Sequence, residues 1–194
     1  MMSYSPNVIE YLDQALGVQK NQRVWSYKDK GFWIFEYTNQ PVEHAHSHIT
    51  AGLGRHILVQ ESGNPIRQEL IMTTWKEFRA FKPEEKVASL SLDLLDRHIP
   101  IPNHQVVPWE GGVFGGLEFS AVYCTSARHM PETLEIIHGD PDLIYVWLIP
   151  IYPEEQRFCS EQGWEKFEEL INSQQPDFFD LERPRIGAAL HRGR

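Results

Sequence analysis

Three histidines, His44, His46 and His48, alternate along one stretch of the chain. On an extended strand such positions share a face, which would bring three imidazoles close enough to hold one metal ion. The nearest acid, Glu43, would then face the other way, and Pro41 lies close by. A metal site therefore requires residues 44–48 to be extended; the competing reading is a solvated polar strand end. Cys124, Ser126 and His129 are the right types for a nucleophile and its base. Such groups meet in space rather than in sequence, and a small buried thiol at a strand end accounts for Cys124. Glu154 and Glu155 occupy adjacent helical positions and point apart, so helix-start electrostatics explains them better than acid–base chemistry. Gly52-Leu-Gly54 lacks the third glycine of a dinucleotide fingerprint, and no Walker lysine is present. No cofactor is expected.

The elements that must position these residues centre on the run from Asp142 to Phe158. Leu143 to Ile149 is unbroken and apolar, rich in β-branched and aromatic side chains, which suits a strand covered on both faces. Pro150 has no N–H for a ladder, so pairing should weaken there. Pro153 followed by Glu154 and Glu155 then marks a helix start, with the helix running to about Gly163. Trp164, Phe167, Leu170 and Ile171 give a second helical stripe. Towards the N-terminus, Asn7–Leu16 reads as a helix stopped by Gly17, with capping side chains at Ser5 and Asn7. Strands are expected at Trp25–Tyr27 and Gly31–Tyr37 around the turn 28–30, then at His48–Gly52, Ile57–Gln60 and Ile66–Thr74. Pro83-Glu84-Glu85 opens a helix through Asp96, with Val87, Leu90, Leu94 and Leu95 as its buried stripe. His98–Gly116 carries three prolines and four glycines, too irregular for helix or strand and too long for an idle connection. Leu117–Tyr123 alternates like a strand, and Leu134–His138 reads as a short one.

Composition bounds the rest. The 194 residues suffice for one domain with a sizeable core. No apolar stretch reaches the ~20 residues of a membrane-spanning helix, and the N-terminus has no secretion signal, so the expected address is cytoplasmic. Two cysteines far apart suggest neither a disulfide framework nor a zinc site. The net charge is −9, yet Arg183–Arg194 holds four arginines and no acid, which leaves 14 basic against 27 acidic side chains in the body. Such a surface repels nucleic acid and attracts basic partners, although acidity also serves plain solubility. The division expected is one domain over 1–183 with a basic, flexible tail over 184–194.

Several separated motifs carry a resemblance. Gly52-Leu-Gly54 followed by Pro65-Ile-Arg-Gln-Glu-Leu-Ile71 is similar to the front half of the suppressor-of-fused domain family. Trp147-Leu-Ile-Pro-Ile-Tyr-Pro-Glu-Glu155, Gly163, Pro176-Asp177 and Asp180-Leu-Glu-Arg183 resemble its back half, in the same order, over roughly residues 30–184. The resemblance implies an α+β domain, with a mixed, largely antiparallel sheet flanked by helices, that binds protein and catalyses nothing. Animal members grip an extended peptide of a transcription factor, and bacterial members resemble immunity proteins that neutralise toxins. The chain has the length of a stand-alone bacterial member. An immunity or antitoxin-like role is the expectation, with an extended peptide or a basic toxin domain as partner and no nucleic acid or membrane. His104-Gln-Val-Val-Pro-Trp109 resembles the turn and tryptophan ahead of the partner-gripping region, with Gln105 where relatives place an acid. His104, Gln105, Trp109 and Glu110 are therefore the candidate partner-binding residues, Trp109 being equally suited to anchor the core. Two alternatives stay open: a metal-dependent hydrolase built on His44, His46 and His48, and a regulatory scaffold for a housekeeping partner.

Overall fold

The computed structural model describes residues 7–17, 21–27 and 30–187. Its strands are β1 (Asn21–Tyr27), β2 (Lys30–Thr38), β3 (Ala45–Ala51), β4 (Leu58–Val59), β5 (Pro65–Trp75), β6 (Gln105–Pro108), β7 (Ala121–Ser126), β8 (Ile136–Ile137) and β9 (Leu143–Ile151). Its α-helices are α1 (Asn7–Leu16), α2 (Pro83–Arg97), α3 (Pro153–Gln162) and α4 (Trp164–Gln174). One sheet runs β1-β2-β3-β5-β9-β7-β6, with β4 beside β5 and β8 beside β9. All these pairs are antiparallel except β5–β9. This is the expected α+β architecture. The capping residue Ser5 and most of the turn 28–30 lie outside the described residues.

Helices cover both faces of the sheet. On one, α2 packs Val87, Leu90, Leu94 and Leu95 against Leu70, Met72, Val146 and Leu148. On the other, Leu12 and Leu16 of α1, Cys159 of α3 and Phe167 of α4 meet Tyr123, Tyr145 and Ile149. β9 feeds both layers, Val146 and Leu148 one way and Tyr145 and Trp147 the other, which is why its sequence shows no polar alternation.

Three expectations need correction. Pairing does not weaken at Pro150: it stays opposite Val122, and Ile151 stays opposite Ala121. The Pro150 carbonyl accepts from Arg183 Nη2 at 3.1 Å, so its backbone groups face away from β7, on the side that β5 has already left after the Ile71–Trp147 pair. The missing N–H costs no ladder bond. The strand placed at Leu117–Tyr123 begins only at Ala121. Before it, Val113 donates to the Phe119 carbonyl, and Phe114 and Phe119 pack edge-to-face at 6.5 Å, so the alternation reflects a buried loop. Finally, the loop from His98 contains a strand after all, the four residues of β6.

Glu69 explains why the Gly52-Leu-Gly54 turn is fixed. Its fully buried carboxylate accepts from Thr50 Oγ1 at 2.6 Å and from the Gly52 and Gly54 amides at 2.8 and 3.0 Å. Gly52 has φ +101°, and a Cβ there would lie 3.1 Å from the Trp33 ring. Gly52→Ala is accordingly expected to cost about 1–3 kcal/mol, seen as a lower Tm.

After α4 the chain straps back across the open end of the sheet. Trp75 donates its backbone N–H to Phe179 and its indole N–H to Asp177 Oδ2. Arg183 then inserts its guanidinium against Glu155, 2.7 Å to each carboxylate oxygen, with side chains 1% and 0% exposed. Glu155 also accepts from the amides of Tyr152 and Ile186. It is therefore more than a helix-start charge. Ile186 is buried and Gly187 donates to Gln174, so packing continues to Gly187; residues 188–194 lie outside the described part.

Candidate functional site

The segment after α2 is pinned over the sheet by one buried amide. Gln68 Nε2 donates to the Ile101 carbonyl at 2.8 Å, and the Ile101 amide donates back to Gln68 Oε1 at 2.9 Å. Beside this clamp lies a groove of about 670 Å³. Ile66, Ile101, Val107 and Ile144 contribute apolar surface to it, and the end of α2 walls it with Leu90 and Leu94. Its polar lining includes Gln60, Glu61, Asn103 and Gln105, together with Asp93 and Arg97, which pair with each other at 2.9 Å. Ile99, 55% exposed, also lines the groove.

β6 borders the groove and, among the described residues, ends the sheet on this side. The Trp109 amide donates to Ser120, so by strand alternation Val106 and Pro108 turn their backbone polar groups outward. Pro108 has no N–H to offer. The open edge of β6 itself therefore presents one donor, at Val106, with carbonyls at Val106 and Pro108.

His104 stands at the head of β6 with φ +64°. Its ring stacks on Trp164 of α4 at 3.9 Å, and Nδ1 lies 2.7 Å from Tyr123 Oη and 3.4 Å from Glu168 Oε1. Tyr123 donates to Glu168, which also receives two bonds from Arg128 Nη2 at 2.8 and 2.7 Å. Burial first, then the bond to Glu168, pushes the Tyr123 phenol up. Burial alone would raise the Glu168 carboxyl, but the bonds from Arg128 and Tyr123 outweigh it and hold it below its ordinary value.

The four candidate residues thus divide. Gln105 is exposed and lines the groove, and His104 ties the groove's border to α4. Trp109 is half-buried against the α2-side core with Lys86 Nζ 6.0 Å from its ring, and Glu110 is exposed; neither lines the groove. Trp164, Tyr123, Glu168 and Arg128 carried no legible signal, because only tertiary packing brings them to His104.

The alternating histidines do not form one face. His44 precedes β3 with φ +70°, hydrogen-bonding distance (3.1 Å) from Lys76 Nζ, whereas His46 and His48 lie on the α2 side of the strand. His46 Nδ1 is engaged by Glu36 at 2.9 Å, and Glu36 also binds Arg79. Among the described residues no three His, Cys, Asp or Glu side chains are grouped to hold a metal. Cys124 belongs to the α2-side core, while His129 packs on Trp147 of the opposite face, so the two cannot act together. Burial pushes the Cys124 thiol up, and burial followed by Glu155 and Glu168 pushes Cys159 up to about 12.

A family model described as suppressor of fused protein (SUFU) matches residues 28–184. The chain belongs to the suppressor of fused family. A SUFU homologue from Neisseria gonorrhoeae FA 1090 shares this fold at 16% identity and TM-score 0.75, with 95% of this chain and 97% of that one aligned. The structure of the Sufu–Fu complex matches at 10% identity and TM-score 0.68, covering 95% and 92%. Drosophila Suppressor of Fused matches at 11% and TM-score 0.60, over 84% of this chain and 44% of its own. A search of curated protein sequences finds no match. Within this SUFU domain, the front motifs meet one another around Glu69, the back motifs meet around Glu155 and Arg183, and the two halves touch where Ile71 pairs with Trp147. Among its described residues, no helix is long and apolar enough to cross a membrane.

Proposed function

We propose that this SUFU domain is a non-enzymatic binding module that takes an extended segment of a partner protein along β6, with side chains set into the adjoining groove. The observation that carries this reading is a strand edge, unpaired among the described residues, that borders an apolar cleft with an amide-rich rim. Backbone bonds at such an edge supply affinity, and alternate side chains entering a pocket supply selectivity. That a protein of the same fold has been solved in a complex with Fu is consistent with the reading.

Two variants at the groove and its bordering strand test it. Val106→Pro removes the outward N–H of β6 while keeping its pairing to β7, and Ile99→Asp places a charge on the exposed wall of the groove. Each is expected to weaken capture of the wild-type partner from the native host about tenfold or more, or ~1.4 kcal/mol, with an unchanged circular dichroism spectrum. Full capture by both variants would remove the groove from consideration.

The partner best suited to a chain of net charge −9 is a basic polypeptide, and the biological role we favour is cytoplasmic immunity against a basic toxin domain. Co-expression with a toxin encoded beside this chain should restore growth for the wild type and fail for Val106→Pro. If no neighbouring toxin binds while a housekeeping protein does, the role is regulatory scaffolding.

A further inference from the structure

The protons around His104 can be counted. Tyr123 gives its one hydroxyl proton to Glu168 Oε1 at 2.7 Å. Its oxygen is left to accept, so His104 Nδ1, 2.7 Å away, carries the hydrogen. A neutral imidazole has a single N–H, which makes Nε2 a bare acceptor, and it lies 3.0 Å from the donor Nδ2 of Asn103. Both ring nitrogens are therefore satisfied in the neutral Nδ1–H form. A second proton would enter at Nε2 and meet an amide that is itself a donor.

An acid and an aromatic ring face the imidazole from α4. Glu168 Oε1 lies 3.4 Å from Nδ1, and the Trp164 indole stacks on the ring at 3.9 Å with 9° between planes. Arg128, bonded to the same carboxylate, is the opposing cation. The conflict thus falls on Asn103, whose exposed side chain turns over at little cost and which lines the groove.

We infer that His104 and Asn103 form a proton-operated switch on the groove's rim. With His104 neutral, Asn103 gives its NH2 to the ring and keeps Oδ1 for the groove. With His104 protonated, Oδ1 turns to accept from Nε2–H and the NH2 faces outward. An acceptor beside Gln105 becomes a donor, so partner affinity varies with pH. The inference rests on the groove being the docking surface proposed above.

The full chain, labelled with 15N, tests this without any partner. Long-range 1H–15N spectra near pH 8 should show His104 as the Nδ1–H tautomer. Lowering the pH to about 5 should move the Asn103 side-chain amide and the Gln105 backbone amide with the same midpoint as the ring. Asn103→Ala, at an exposed site, should leave the ring titrating and cut the response at Gln105. An Nε2–H tautomer in the wild type, or an Asn103 side chain indifferent to the ring's titration, would overturn the switch. Either outcome is separate from the capture experiment with Val106→Pro and Ile99→Asp, which judges the docking surface alone.

Discussion

Arg183→Ala should cost about 3–5 kcal/mol of folding stability, the largest loss expected from any single side chain described above. The reason is what the variant leaves behind. Glu155 sits 0% exposed with its carboxylate shared between Arg183 and two backbone amides. Without the guanidinium, a buried negative charge keeps only neutral partners, and the Pro150 carbonyl loses its donor. The rings of Phe119, Tyr152 and Phe178, each 5.1–5.7 Å from the guanidinium carbon, also lose this cation, Tyr152 alone keeping a second one in Arg185 at 4.9 Å. Urea unfolding of the full chain measures the loss. The double variant Glu155→Leu/Arg183→Met should recover part of it, because replacing both charges removes the desolvation cost; the Tyr152 and Ile186 amides remain unpaired. A loss below about 1 kcal/mol for Arg183→Ala would mean that the pair is not buried as described.

The second large effect is on acid stability and belongs to His129. Ser47 Oγ donates to the Gln40 carbonyl, Thr73 Oγ1 donates to Ser47, and Thr73 is thus left to accept from His129 Nε2–H. His129 Nδ1 is buried without a hydrogen-bonding partner among the described residues, and Trp147 and Phe179 pack against the ring. Burial lowers the His129 pKa from 6.5 to about 3. The unfolded chain therefore binds the extra proton first as the pH falls. Stability is complete above pH 6.5 and drains away as the pH drops towards about 3, by on the order of 4 kcal/mol over the whole range. The Glu168 and Asp142 carboxyls, held below their ordinary values, lose their contributions only under more acid conditions, so His129 dominates the upper part of this window. His129→Leu should flatten the stability profile between about pH 6.5 and 4.5, and an unchanged slope would refute the assignment.

Much of the fold was legible because its signals are local. Apolar runs and Pro-Glu-Glu starts placed β9, α2 and α3 within a few residues, and the separated motifs pointed to the family before any coordinates. Legibility failed where the deciding partner is distant in sequence. Nothing near Pro150 says that its backbone faces away from β7, and nothing near Leu117 says that Phe119 and Phe114 fill a core instead of a ladder. The alternation of His44, His46 and His48 was real, but the left-handed turn at His44 breaks it before the strand begins. The site shows the same division. The loop from His98 stood out by composition, yet the groove is assembled from β5, α2, β6 and β9 together. His104 and Gln105 could be named from the motif, whereas the Tyr123–Glu168–Arg128 array behind His104 exists only after α4 has docked.

The single parallel pair has a consequence for how the molecule is made. β1, β2, β3 and β5 join one another through antiparallel neighbours, and β6, β7, β8 and β9 do likewise, so the sheet consists of two locally wired halves stitched along one β5–β9 seam. During synthesis the first half emerges with the β5 side of that seam bare, and it stays bare until Leu143–Ile151 has been translated. Long-range parallel pairing is slow to form, and an uncovered strand border invites foreign strands. The nascent chain is thus most vulnerable to aggregation in the interval between its two halves, and whatever shields β5 then governs the yield of folded protein.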